Sequence, residues 1–403
     1  MEPVNTFAGP AGPSAGANTV SPWLVLLLAT ACGFIAANMY YAQPLAGPIS
    51  AALGFSQGTT GLIVTMTQVG CGMGMLLVVP LGDLFENRRL ALILLGIIAV
   101  ASLGAALAFN PLSFLIAAWF IGLGTVAVHV LVPYAAHMAP EAVRGRVVGN
   151  VMSGLLLGIM LARPVASAIT AFSSWHAVFF FSAAAATLIA FVLARSMRPR
   201  QPQSRPRYAD LLRSMWRLVR TTPILRRRSL YHAALSGAFS LFWTTVPLLL
   251  AGPAFRLSQG GIALFGLAGV AGAIAAPVTG RIADRGWSRP ASVFAIAAAA
   301  GAFLLTHIAQ QGSLLSLGLL VASAIVLDFG VSANMTLGQR AIFSLGAEYR
   351  SRLNGIYMTM FFSGGAIGSA LGGWSYAHGG WNMASWFGFA LPVAALLYLL
   401  TDL

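Results

Sequence analysis

The chain contains no lysine and few acids. All 23 basic residues are arginine, against 9 aspartates and glutamates, and charged residues make up 8% of the 403. The missing lysine excludes the phosphate-gripping lysine of a Walker A loop and the imine-forming lysine of a retinal protein. Charge this sparse, beside 58% hydrophobic residues, also excludes a soluble globule of this size, because too little polar surface is left to cover it. Cysteine is nearly absent. Cys32 and Cys71 both fall in long apolar segments, where isolated thiols act as small apolar residues, so neither a disulfide, a metal site nor a cofactor is expected. Residues 1–20 carry no basic residue and are rich in Gly, Pro, Ala and Ser, unlike a signal peptide, and are expected to form a disordered cytoplasmic tail.

What is present is apolar length. A membrane span needs about 20 mostly apolar residues, and twelve such segments can be drawn, starting near Pro22, Gly58, Arg89, Leu112, Gly145, His176, Ser229, Gly260, Pro290, Ser313, Ser351 and Trp381. All but two of the arginines, Arg163 and Arg256, lie in every second gap between them. Arginine is retained inside during insertion, so those gaps face the cytoplasm and both termini lie inside, in a bacterial inner membrane. The net charge of +14 then meets anionic lipid headgroups; no nucleic-acid partner is expected. The longest polar stretch follows the sixth segment and divides the chain into six plus six. The expected domains are residues 21–197, a linker at 198–228, and residues 229–403. Within the linker, Leu211, Leu212, Met215, Trp216 and Val219 recur at helical spacing and predict an amphipathic helix on the inner membrane surface.

The two halves repeat each other. After span two stands Gly82-Asp83-Leu84-Phe85-Glu86-Asn87-Arg88-Arg89, and after span eight Gly280-Arg281-Ile282-Ala283-Asp284-Arg285. Span five opens with Arg144-Gly145-Arg146, and span eleven with Arg350-Ser351-Arg352. Matching pairs about two hundred residues apart imply a duplicated six-helix unit, a parallel repeat of the kind found in one class of transporters.

On these residues the chain resembles the major facilitator superfamily, over all twelve spans. The family's loop between spans two and three has the form G-x-x-x-D-R-x-G-R-R, with a degenerate copy after span eight. Gly280, Asp284 and Arg285 match the copy in place, while the first loop keeps Asp83, Arg88 and Arg89 with one extra residue. The G-D-x-x-E-N-R-R variant is similar to a poorly characterised bacterial subgroup near the drug:proton antiporters. Two features of that group are altered: Ala118 stands four residues before Gly122-x-Gly124, where an arginine is usual, and the glycine-rich stretch Gly149, Gly154, Gly158 ends in Arg163-Pro164. The resemblance implies an all-α membrane protein with two pseudo-symmetric six-helix bundles around a central cavity. It also implies gating by Asp83, Arg88, Arg89, Arg144, Asp284, Arg285, Arg350 and Arg352. In that role the acid accepts from helix N-terminal amides of the other half near residues 350–352, with Arg144 as a partner in its own half.

Two charges lie well inside spans, Arg163 in span five and Asp328 in span ten. Each costs roughly 3 kcal/mol to insert, so each is expected to serve a purpose. Asp328 is the proton-coupling candidate, with a structural ion pair to Arg163 as the rival reading; His129 in span four could also titrate. The resemblance makes spans one, four, seven and ten line the cavity, which offers as substrate contacts Asn38, Tyr41 and Gln43, then Tyr134, Ser240, Trp243, Thr244, Ser332 and Asn334, beside Arg163. The function these residues imply is secondary transport of a small organic molecule by a monomer, proton-coupled and directed to export. Proton-coupled uptake symport or uniport is the alternative, and a channel or sensor is a weaker one, since it would not need two matching halves. An embedded enzyme would need His129, His137 and Asp328 to converge, and no H-E-x-x-H, G-x-S-x-G or paired-carboxylate motif supports it.

Overall fold

The computed structural model describes residues 21–201, 207–271, 278–279, 281–282, 287–346 and 349–401. The expected tail at 1–20 and the loop residues Gly280, Asp284 and Arg285 lie outside them. The described chain is helical throughout, and nine of its helices are long and apolar enough to cross a membrane. Span one is α1 (Pro22–Ala37) followed by a tight segment at 38–45 and a short α2 (Ala46–Leu53). Span two is α3 (Leu62–Leu77) and span three α4 (Asn87–Ala106). Span four divides into α5 (Pro111–Thr125) and α6 (Val128–Met138); α7 (Arg144–Phe172) and α8 (Trp175–Ser196) are spans five and six. After the linker helix α9 (Tyr208–Thr221) come α10 (Pro223–Ala251), α11 (Gln259–Gly266), α12 (Ser288–Leu305), α13 (Leu314–Phe343) and α14 (Arg350–Leu400). The last is two spans run together, interrupted at Gly379 and Gly380, where φ is −141° and 60°. Only a glycine takes the second of these values without strain.

Span seven begins at Pro223, six residues before the expected Ser229. Proline at the first helical turn loses no needed hydrogen bond and has its φ already set, so the helix starts there and carries Arg226, Arg227 and Arg228 on its first turns. The break in span one has a similar cause. Pro44 has no N–H to offer the carbonyl of Tyr40, and the backbone tightens into three-residue bonds, Tyr40 N to Ala37 O at 2.9 Å and Gln43 N to Tyr40 O at 3.2 Å.

Each half is closed by the same contact. A Cβ on Gly158 would stand 2.0 Å from the Gly33 carbonyl oxygen, joining spans five and one; a Cβ on Gly368 would stand 2.0 Å from the Gly237 carbonyl oxygen, joining spans eleven and seven. Backbones meet that closely only where no side chain intervenes. Between the halves, α3 runs along α14, with Thr65 Oγ1 2.8 Å from Ser369 Oγ and Gln68 Nε2 donating to Ser240 Oγ of α10 at 2.8 Å. The second inter-half seam is α7 against α11. At the arginine-bearing end, α9 buries Leu211 and Met215 where α3 meets α14. Its Tyr208 hydroxyl donates to Leu77 O at 2.8 Å, and its Ser214 Oγ accepts from Arg352 Nη1 at 3.0 Å. The amphipathic helix expected on the membrane surface thus also straps the two halves, although Trp216 remains exposed as a surface helix would leave it.

Candidate functional site

Three prolines lie at or within about a turn of the residues that form one cluster: Pro44 breaks span one, while Pro164 and Pro247 stand inside unbroken helices. Pro44 turns span one so that Gln43 points across to span five, where its Oε1 accepts from Arg163 Nε at 2.8 Å. Pro164 follows Arg163 directly. Pro247 has no N–H for the carbonyl of Trp243, four residues earlier, so α10 loses a rung at the level of that indole. The Trp243 ring is the centre of the arrangement. The guanidinium carbon of Arg163 lies 4.0 Å from its centroid, with the rings of Tyr40 and Phe239 at 5.1 and 5.2 Å. On its edge, Trp243 Nε1 donates to Asp328 Oδ1 at 2.9 Å.

Arg163 is 3% exposed and Asp328 5% exposed, yet among the described residues the two form no ion pair within 4.0 Å. Cation and anion instead share one indole, the cation on its electron-rich face and the anion on its N–H. A desolvated cation–π contact contributes about 2 kcal/mol, and a hydrogen bond to a charged acceptor about 1.5–3 kcal/mol. Together these offset part of the cost of burying two charges without pairing them. Arg163 Nη2 and Gln43 Nε2 are buried donors with no hydrogen-bond partner among the described residues. Gly269 closes the fourth side. A Cβ there would stand 3.1 Å from Asp328 Oδ2 and 3.2 Å from Arg163 Nη1, so only the absent side chain leaves the two charges a common point of approach. Arg163 and Gln43 come from the first half, Trp243, Gly269 and Asp328 from the second. The site therefore exists only where the halves meet.

The other sequence-derived residues spread over several settings. Asn38 is engaged inside its own half: its Oδ1 accepts from Ser182 Oγ, which lies 2.9 Å from Ser102 Oγ, and its Nδ2 donates to Phe34 O at 2.8 Å. The Tyr134 hydroxyl anchors the start of the linker, accepting from Arg198 N at 2.9 Å. Tyr41 and Thr244 are buried, and Thr244 Oγ1 has no partner among the described residues. His129 and Ser332 are half-buried. Asn334 is buried with neither side-chain polar atom partnered among the described residues, and Ser240 is held by Gln68. Sequence reading passed over Tyr40, Phe239, Gln68 and Gly269. Phe239, one helical turn before Trp243, and Gln68, a lone amide in an apolar span, could have been found by spacing; Gly269 could not.

At the arginine-bearing end, Asp83 lines one small crevice with Ser351 and Arg352 at the N-terminus of α14, and Arg352 and Arg200 are the cations whose charge reaches it. Arg144 is engaged elsewhere in its half, donating from Nε to Ala136 O at 3.1 Å. Arg88 donates to Ala194 O, and Arg89 sits 3.4 Å from Glu86 on the surface. Arg350 is the first residue of α14.

This architecture is shared with known transporters. The structure superposes on that of a mutant nucleoside transporter NupG with a TM-score of 0.77, at 14% identity and covering 94% of this chain and 99% of that one. It also superposes on an inward-facing bacterial homologue of the human lysosomal transporter Spinster, with a TM-score of 0.69, at 14% identity, over 95% and 96% of the two chains. In sequence, the chain is 36% identical over 378 residues to YgaY, an uncharacterized transporter of Escherichia coli, covering 94% of this chain and 95% of that protein. It is 31% identical over 360 residues to a probable transporter of Streptomyces coelicolor, covering 88% and 82%. Residues 26–320 match the family model of the Major Facilitator Superfamily. With that match, two glycine-sealed halves and a charged site on their seam, the chain belongs to the major facilitator superfamily, a multi-pass membrane transporter and not an enzyme.

Proposed function

We propose that this transporter moves a small organic molecule by alternating access, coupled to protons at Asp328, and that it works as an exporter in the bacterial inner membrane. The arginine-bearing end is the cytoplasmic one. One observation carries the coupling: a buried carboxylate and a buried guanidinium, contributed by opposite halves, are held apart by one indole instead of neutralising each other. A charge held this way changes its interactions when it is protonated or when a substrate reaches it, and both events are felt across the seam on which the halves rock. Arg163 Nη2 and Gln43 Nε2, donors left over after the indole and amide contacts, are the groups that support substrate binding here. Asp83, facing the first turn of α14, supports a cytoplasmic gate that favours the outward-facing state. Export rests on the likeness of the first loop to that of a poorly characterised bacterial subgroup near the drug:proton antiporters.

The test is Asp328→Asn in proteoliposomes, assayed with a panel of metabolites and toxic compounds by counterflow at equal pH and by pH-gradient-driven flux. A fixed neutral amide mimics the protonated acid but cannot release a proton. Counterflow survives while gradient-driven flux is lost. Full gradient-driven flux in Asp328→Asn removes this residue from the coupling; flux driven inward by the gradient in the native protein replaces export with uptake.

A further inference from the structure

One polar stripe runs from Ser240 away from the charged cluster, toward the arginine-bearing end. On α10, Ser229, His232, Ser236 and Ser240 follow one another at steps of three and four residues, which puts them on a single helix face leading from the arginine-bearing end toward Trp243. All four are buried, and His232 is fully so. Ser229 Oγ, both ring nitrogens of His232 and Ser236 Oγ have no hydrogen-bond partner among the described residues. Across the last step, Gln68 Nε2 is spent on Ser240 Oγ while Gln68 Oε1 is left unpartnered. A buried polar atom without a partner costs about 1–3 kcal/mol, so one face with this many calls for bound water. The spacing suits it: side chains one helical turn apart have Cβ atoms roughly 6 Å apart, a gap that one water crosses with two hydrogen bonds of about 2.8 Å.

We propose that this face of α10 is the cytoplasmic proton-access path to Asp328, a file of water bridging Ser229, His232, Ser236 and Ser240, with His232 as its relay. The proposal rests on Asp328 being the coupled site. His232 suits the role by its surroundings. Its ring stacks on Tyr357 of α14 at 4.2 Å and an interplanar angle of 5°, with Phe361 at 4.5 Å. The Tyr357 hydroxyl is turned to Asn334 O of α13, 3.5 Å away. The other ionisable groups on its own helix are Arg226 and Arg227 on the first turns, Arg227 lying over the Tyr398 ring at 4.9 Å, then Arg228, one turn below His232 and donating to Ser292 Oγ at 2.8 Å, and Tyr231, packed on Tyr398 at 5.7 Å. Among the described residues no carboxylate pairs with His232, so nothing fixes the ring as a cation. A neutral imidazole takes a proton on one nitrogen while releasing the proton of the other. The ring ends neutral, each water passes on one proton for the one it receives, and the Asp328 carboxylate is the final acceptor. From His232 to Trp243 the path rises about 16 Å.

The indole bonded to Asp328 supplies a substrate-free readout. In oriented proteoliposomes, the tryptophan fluorescence that is lost in Trp243→Phe should respond to a pH jump, and the response should vanish in Asp328→Asn. For a jump on the cytoplasmic face, His232→Phe, which keeps the stack and removes both nitrogens, should slow the response tenfold or more while leaving its final amplitude intact. His232→Gln should recover part of the rate, and a jump on the opposite face should be as fast as in the native protein. Ser236→Ala, a smaller change on the same file, should slow the cytoplasmic response as well if His232→Phe fails to fold. An unchanged cytoplasmic rate in either variant overturns the path and leaves Asp328 as the proton site. An amplitude equal in the native protein and Asp328→Asn overturns Asp328 itself, and the path with it.

Discussion

The shared indole makes a quantitative prediction. If Trp243 Nε1 donates to an ionised Asp328 at 2.9 Å in a buried setting, the bond contributes about 1.5–3 kcal/mol. Trp243→Phe removes the donor yet keeps an aromatic face beneath Arg163, so most of the cation–π contact at 4.0 Å persists. Asp328→Leu removes the acceptor at similar volume. Each single substitution carries further losses: the smaller phenyl ring leaves a gap, and Leu removes the anion nearest Arg163. A double-mutant cycle cancels those and retains the bond. Measured by SDS-driven unfolding in mixed micelles at pH 8, the four proteins should show a coupling energy of about 1.5–3 kcal/mol. A value below about 0.5 kcal/mol, the scatter expected of independent sites, would refute a charged hydrogen bond here and with it the idea that the indole holds the two charges apart.

Three further outcomes follow from geometry. Gly158→Ala places a methyl 2.0 Å from a backbone oxygen and should cost more than about 2 kcal/mol, whereas Gly149→Ala, with nothing within 4 Å, should be neutral or gain up to about 1 kcal/mol; thermal melts of the two variants decide. Asp83→Asn should open the arginine-bearing end, read as longer distances between spin labels placed there on the two halves, and unchanged distances count against the gate. In intact cells an impermeant thiol reagent should label a cysteine introduced at exposed Ser258 and spare one at exposed Thr221, the native thiols being buried; the reverse pattern inverts the topology.

The fold was legible where one physical force acts alone. Insertion sorts arginine by side and demands apolar length, so eleven of the twelve expected starts fall within a few residues of the observed helices or of the Gly379–Gly380 break, and the exception, span seven, was displaced by the local pull of Pro223. The family likeness was legible through the paired loops. The site was legible only as an inventory. Arg163 and Asp328 announce themselves by the cost of burying charge, but that Trp243 stands between them depends on how three helices meet, which no spacing along one chain records. Asn38 shows the opposite limit: an amide in a cavity-lining span looks like a ligand contact until Ser182 and Ser102 are found beside it. Gly269 matters through the side chain it lacks, and among 44 glycines that is invisible in sequence.

The prolines of spans five and seven give the Arg163–Trp243–Asp328 cluster a mechanical position. Pro164 adjoins Arg163, and the carbonyl that Pro247 leaves without a donor belongs to Trp243, so both helices are most easily bent at the level where the charges lie. A load applied there acts at the fulcrum. From Arg163 down to Arg144 the lever arm of α7 is about 28 Å, and a tilt of roughly 10° at the fulcrum sweeps its far end by about 5 Å. A small rotation at the level of one guanidinium thereby becomes a displacement as large as a small molecule at the arginine-bearing end of the helix.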